Sequence, residues 1–208
     1  MSGGWPKAVL FDLLTALIDS WTLWDRVAGA ADGRRWRAAY LKLTYATGSY
    51  RSYEALVREA AVEVRLPPGL AENLAARYGE LQPWPEAAEV LGSLHGALPL
   101  GVVTNCSEAL GHVAVGRIGI DFDVIVTAER AGFYKPDPRP YRLALDELGF
   151  APAECVFVGG SAYDLYGAAA VGLPVFWHDR IGMAMPSDAP PPRWRHADLR
   201  PLRDVVLG

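Results

Sequence analysis

The chain has 208 residues, of which 51% are hydrophobic and 21% charged, and carries a net charge of −4 at pH 7. That length holds one core domain, or one core plus a small insertion, and the balance of apolar and charged residues excludes a disordered chain. An acidic balance without a basic stripe argues against a nucleic-acid partner, and no apolar run is long enough to expect a membrane span or a signal peptide.

The first apolar run, Ala8-Val9-Leu10-Phe11, ends in Asp12 and predicts a strand over Lys7–Leu13. A carboxylate at the end of a buried strand costs desolvation energy unless it is paired or used. In open α/β sheets that end of the strands is where ligands bind; a helix N-cap is the competing reading. From Ile18 to Leu81 the pattern changes to four amphipathic helices, near 19–30, 33–46, 51–64 and 68–80, with breaks at Gly48 and Pro67-Pro68. The stretch returns through Gln82-Pro83-Trp84-Pro85-Glu86, where two prolines around a Trp make a stiff hinge. Insertion directly after Asp12 points to a lid that excludes water, against the plainer reading of a stabilising decoration.

Beyond the hinge, strands at Leu98–Thr104, Val124–Thr127, Cys155–Gly159 and Pro174–Trp177 alternate with helices at Glu86–Leu94, Glu108–Ile118, Arg139–Leu148 and Leu165–Val171. Alternation of this kind predicts parallel strands joined by right-handed crossovers. The expected fold is α/β: a doubly wound, Rossmann-like core from residues 1–17 and 82–208, with an inserted helical cap at 18–81. Ile181–Pro192 reads as irregular, and a short helix closes the chain over 198–206. Cys106 and Cys155 make no disulfide framework and read as buried, reduced thiols of a cytoplasmic protein; a catalytic role for Cys106 lacks a suitably spaced His.

Four polar segments close a strand or open the next helix: Phe11-Asp12-Leu13-Leu14-Thr15-Ala16; Val102-Val103-Thr104-Asn105; Tyr134-Lys135-Pro136-Asp137-Pro138; and Gly159-Gly160-Ser161-Ala162-Tyr163-Asp164. In a parallel sheet all four converge on one edge. In this order, with helices between the first and second, they resemble the haloacid dehalogenase superfamily across nearly the whole chain. The resemblance puts the nucleophile on Asp12, the second-motif hydroxyl on Thr104 beside Asn105, the lysine on Lys135 and the fourth-motif acid on Asp164. Asp12 would attack an electrophilic centre and form a covalent ester. Lys135 would keep it ionised, and Thr104 and Asn105 would donate hydrogen bonds to substrate or leaving group. Asp164 would orient or activate the water that hydrolyses the ester.

Most members of that superfamily are magnesium-dependent phosphotransferases, with a second acid where this chain has Leu14 and a metal-binding acid where it has Gly160. Halide displacement needs neither, so the chain is most similar to the L-2-haloacid dehalogenase branch, which works without metal. The resemblance implies no cofactor and a small acid as substrate. Trp36-Arg37 falls where that branch keeps a Trp-Arg pair for the substrate carboxylate or departing halide, and the planar guanidinium suits a carboxylate. Tyr141, six residues after Lys135, matches the family tyrosine, and Leu14 and Ser161 complete the expected substrate contacts. Trp21, Trp24 and Tyr40 line an apolar pocket or form cap core. The chain departs from the branch at Thr15-Ala16, where Gly-Thr is usual, at Leu14 in place of Tyr, and at Gly159 and Ser161 in place of Ser and Asn. A phosphatase recruiting Mg2+ through Asp12 and Asp164, a phosphonate hydrolase with Lys42 as Schiff base, and a non-catalytic binding protein remain alternatives. Oligomeric state stays open, a homodimer included.

Overall fold

Six parallel strands form the sheet of the computed structural model, which describes residues 6–208. They are β1 (Ala8–Phe11), β2 (Leu100–Thr104), β3 (Val124–Thr127), β4 (Cys155–Gly159), β5 (Val175–His178) and β6 (Trp194–His196), in the order β3-β2-β1-β4-β5-β6. The chain runs outward from β1 through β2 to β3, then crosses back to β4 on the other side. Registers such as Phe11 opposite both Val102 and Val158 bring the ends of β1, β2 and β4 level. The order reverses at β1, and the crevice at such a switch point is where α/β sheets bind ligands. This is the doubly wound α/β architecture expected. Its N-terminal five residues, part of the expected core segment 1–17, lie outside the described residues.

The helices are α1 (Ser20–Ala28), α2 (Ala30–Thr47), α3 (Tyr53–Glu63), α4 (Leu70–Ala76), α5 (Ala87–Leu94), α6 (Glu108–Gly116), α7 (Ala128–Ala131), α8 (Pro138–Leu148), α9 (Asp164–Val171) and α10 (Pro201–Leu207). Val9 and Phe11 pack in one apolar cluster with α5, α6 and α10; Ala8 and Leu10 pack in the other with α8 and α9. Strand alternation therefore buries both faces of β1, as a sheet covered on both sides requires.

Helices α1 to α4 pack on one another around aromatic residues. Trp24 meets Trp36 edge-on at 4.5 Å and Tyr40 at 5.5 Å, and Tyr40 meets Tyr53 at 5.3 Å. Trp36 Nε1 donates to Val57 O at 2.8 Å, so its one polar atom is satisfied inside that core. The break between α1 and α2 falls at Gly29, with φ +85°, and α2 runs on through Gly33. A Cβ at Gly33 would lie 2.7 Å from the Asp25 backbone, so this glycine lets α1 and α2 approach closely.

β6 departs from the sequence expectation. Its three residues, Trp194-Arg195-His196, come after Pro190-Pro191-Pro192-Arg193, so no apolar run marks it. It is an edge strand, where exposed charge is usual. Among the described residues no helix is long and apolar enough to cross a membrane.

Candidate active site

β1 ends by delivering Asp12 into the crevice, its N–H donating to Val158 O at 2.9 Å. The chain then turns tightly, and the N–H groups of Thr15 and Ala16 both donate to Asp12 Oδ2 at 3.2 Å. Lys135, only 3% exposed, places Nζ 2.8 Å from Asp12 Oδ1 and 2.9 Å from Asp164 Oδ1. One ammonium thus bridges two buried carboxylates. Burial opposes its charge, but Asp12 and Asp164 outweigh burial and raise the Lys135 pKa above the ordinary lysine value. Burial raises the Asp164 pKa, Lys135 works against that, and the neighbouring Asp12 adds to it.

Asp164 sits at the first turn of α9, and its Oδ2 accepts from the N–H groups of Gly160 and Ser161 at 3.2 and 3.0 Å. Tyr141 donates to Oδ1 at 3.5 Å. All four acceptor positions of the carboxylate are therefore engaged. The long Tyr141 contact is the one a water would most easily displace.

A cavity of about 30 Å³ lies over this centre, lined by Asp12, Leu14, Thr15, Arg37, Tyr40, Leu41, Tyr45, Thr104, Asn105, Lys135, Ser161 and Asp164. That is room for about two waters. Arg37 reaches in from α2. Its guanidinium lies 4.8 Å from the Trp21 ring and 5.4 Å from Trp24, and Nη2 donates to Leu14 O and Thr15 Oγ1 at 3.3 Å. Nε and Nη1 of Arg37 and Oγ1 of Thr104 are buried with no partner among the described residues. Buried donors without partners are costly, so their presence at one cavity points to an anion that would satisfy them.

Two expected substrate contacts are placed differently. Tyr141 is fully buried behind Asp164 and does not line the cavity; it holds the carboxylate, not a ligand. Asn105 lines the cavity, but its amide is spent on the Lys135 backbone, accepting from Lys135 N at 2.7 Å and donating to Lys135 O at 3.0 Å. It clamps the lysine's loop. Trp24 belongs to the aromatic core of α1 to α4 at 1% exposure, whereas Tyr40 lines the cavity and donates to Asn105 O at 3.0 Å. Trp21 stands beyond the cavity, in a neighbouring vestibule with Tyr163 and Met183. Lys42 is 80% exposed near Glu63 and lines that vestibule, not the cavity over Asp12, which argues against the Schiff-base reading. Cys106 is buried and its thiol is pushed up to about 12 by burial, so it is no nucleophile.

Tyr45 escaped the sequence reading. Its hydroxyl bonds Ser161 Oγ at 2.9 Å and its ring stacks on Tyr163 at 4.2 Å. Burial, then Asp164, raise its pKa, so it stays a neutral phenol. The available signal was spacing: Arg37, Leu41 and Tyr45 recur every four residues and share one face of α2.

The donor set fits magnesium poorly. Asp12 and Asp164 are both committed to Lys135 and to backbone N–H groups, and no group of three or more His, Cys, Asp or Glu side chains among the described residues could hold a metal. A Cβ at Gly160 would lie 2.3 Å from Ala16 N and 2.5 Å from Thr15 C, so the turn after Asp12 fills the place a further acid would need. Gly160→Asp is expected to destabilise the fold by roughly 1–3 kcal/mol through overpacking, measured by urea unfolding, without making p-nitrophenyl phosphate turnover magnesium-dependent. A stable variant with that dependence would contradict this packing argument.

The parallel sheet, its switch point and the buried carboxylate–lysine–carboxylate centre define a doubly wound α/β protein with the layout of a hydrolase. The family model for haloacid dehalogenase-like hydrolases matches residues 6–172, and the chain belongs to that family. It is 28% identical over 186 residues to an (S)-2-haloacid dehalogenase of Xanthobacter autotrophicus, covering 81% of this chain and 73% of that one. It is 27% identical over 219 residues to (S)-2-haloacid dehalogenase 1 of Pseudomonas sp. strain CBS-3, covering 97% and 96%. The crystal structure of a dehalogenase with an intermediate complex superposes with a TM-score of 0.85 at 26% identity, over 97% of each chain.

Proposed function

We propose that this chain hydrolytically dehalogenates small 2-haloacids through a covalent Asp12 ester, without metal. One observation carries the reading: Asp12 is buried, oriented by Lys135 and two N–H groups, and faced across a small cavity by the unpartnered guanidinium donors of Arg37. The similarity to (S)-2-haloacid dehalogenases over most of both chains supports the substrate class.

Arg37 holds the substrate carboxylate or receives the halide. An Asp12 oxygen attacks C2 opposite the halogen; the C–O bond forms, the C–X bond breaks, and halide leaves with the bonding pair. No proton is needed at the leaving group, which is why Leu14 suffices where a phosphotransferase needs an acid. Water then adds to the Asp12 ester carbonyl, helped by Asp164, and the hydroxy acid leaves with one oxygen of Asp12. Thr104 and Ser161 contribute hydroxyls to the cavity wall. Residues 18–81 act as the cap that keeps bulk water out. The two buried free thiols fit a cytoplasmic protein.

The test is halide release from 2-chloro, 2-bromo and fluoro acids, first with EDTA and then with Mg2+. Release unaffected by EDTA is expected. Turnover of p-nitrophenyl phosphate that depends on Mg2+, with no halide release from the acids, would establish a phosphatase instead; a small acid bound but never turned over would establish a binding protein. Replacing Arg37 with Lys keeps the charge but loses the planar fork. It is expected to lower kcat/KM about tenfold or more, with little change in Tm; wild-type kinetics would remove Arg37 from the site.

A further inference from the structure

Trp84 sits in the return hinge, 72 residues after Asp12 in sequence, yet its side chain reaches the turn that follows the nucleophile. That turn is held by its carbonyls. Leu14 O accepts from Arg37 Nη2 and from Ser20 Oγ. Thr15 O accepts from the Trp84 indole Nε1 at 2.8 Å. Ala16 O meets His178 Nδ1 at 2.8 Å. A carbonyl only accepts, so Nδ1 carries the proton there.

A peptide unit is planar, with C=O and N–H on opposite edges. The unit whose carbonyl Trp84 grips is the same unit whose N–H, that of Ala16, donates to Asp12 Oδ2. Turning that carbonyl away from Trp84 turns the N–H away from the nucleophile. His178 fixes the next peptide unit and keeps the turn closed, its ring fully buried and edge-on to Trp84 at 6.4 Å. Burial lowers the His178 pKa and keeps the ring neutral. The backbone adds to the grip: Trp84 N donates to Leu17 O at 2.9 Å, and Asp19 N to Gln82 O at 2.9 Å, tying the two crossings between core and helical insertion together.

We infer that Trp84, buttressed by His178, is a positioning residue for the Asp12 nucleophile: its indole N–H orients the Thr15–Ala16 peptide so that the Ala16 N–H fixes one Asp12 oxygen and leaves the other for Lys135. The catalytic consequence rests on the dehalogenase reading above; the positioning itself does not. Trp84→Phe keeps an aromatic ring beside Arg180 and removes the donor together with part of the ring. His178→Leu removes the second donor, and His178→Asn restores one, because the amide nitrogen occupies the place of Nδ1.

Two readouts test the inference. Amide exchange of Ala16, followed by NMR, should speed up about tenfold in Trp84→Phe and in His178→Leu and return toward wild type in His178→Asn, since a lost hydrogen bond is worth about that factor. With a 2-haloacid, the rate of ester formation and kcat should fall roughly five- to tenfold while KM changes less than about twofold. Unchanged Ala16 exchange in Trp84→Phe overturns the inference. So does a loss of kcat that tracks a loss of Tm and is not restored by His178→Asn, since that is a merely structural effect. If exchange responds but the wild-type protein forms no ester with any haloacid, the dehalogenase reading fails and the positioning stands.

Discussion

Asp12→Asn is expected to abolish turnover, with a fall in kcat of at least about 10⁴-fold, while substrate binding changes little. The amide is nearly isosteric with the carboxylate, and its oxygen can still accept the Thr15 and Ala16 N–H groups that meet Asp12 Oδ2 at 3.2 Å. What it loses is nucleophilicity and the ionic bond to Lys135 at 2.8 Å. The wild-type protein supplies the stronger test. If Asp12 attacks carbon, its own oxygen leaves in the product and solvent oxygen takes its place. A single turnover in 18O-water with excess enzyme should therefore put the label in the peptide containing Asp12, not in the hydroxy acid, and the substrate carbon should be inverted. Label appearing first in the product would make Asp12 at most a base. In Asp164→Asn the ester should accumulate, because displacement does not need the water.

The sheet was legible because each core strand is an apolar run with a clear stop. Thr104 stops Val102-Val103 and Gly159 stops Val156-Phe157-Val158, and both ends lie level with the end of β1 that carries Asp12. Lys135 stood out as one of three lysines in the chain, set before a Pro-Asp-Pro turn. What stayed hidden depends on which way a side chain turns after the backbone is set. Asn105 and Tyr141 sit where sequence reasoning expected ligand contacts, yet one holds the Lys135 backbone and the other backs Asp164. Trp84 was readable as part of a stiff hinge but not as a donor to Thr15 O, a contact across 69 residues of sequence. His178 ends a strand like any other apolar run, and nothing local reveals that its imidazole meets Ala16 O. Gly160 was readable as a missing acid; only the packing shows that the turn at Thr15 and Ala16 has taken the space.

Removing the ammonium should cost this molecule both its activity and much of its stability. Lys135, Asp12 and Asp164 are 3%, 7% and 4% exposed, so neither carboxylate can turn to solvent for compensation. Lys135→Met fills similar volume without charge and leaves two like charges in one buried site. Breaking a buried ion pair from one side typically costs about 3–5 kcal/mol, which in a chain of this size lowers Tm by roughly 10 °C. The pH dependence has a definite sign. The raised pKa of Lys135 means that its stabilising contribution is present below the unfolded lysine value, near 10.4, and is lost as pH rises through the higher folded value. Without it, burial and the neighbouring Asp12 raise the Asp164 pKa unopposed, so the variant loses stability as pH rises above the ordinary aspartate value of about 4. The deficit against wild type should therefore be larger at pH 8 than at pH 5, measured by urea unfolding at both. Halide release should fall on the order of 10³-fold or more, since Asp12 loses the ammonium that holds its Oδ1 at 2.8 Å. A Lys135→Met protein with wild-type stability at pH 8, or a deficit that grows toward acid pH, would mean that the ammonium does not offset the buried negative charge, and the role given to Lys135 would fail.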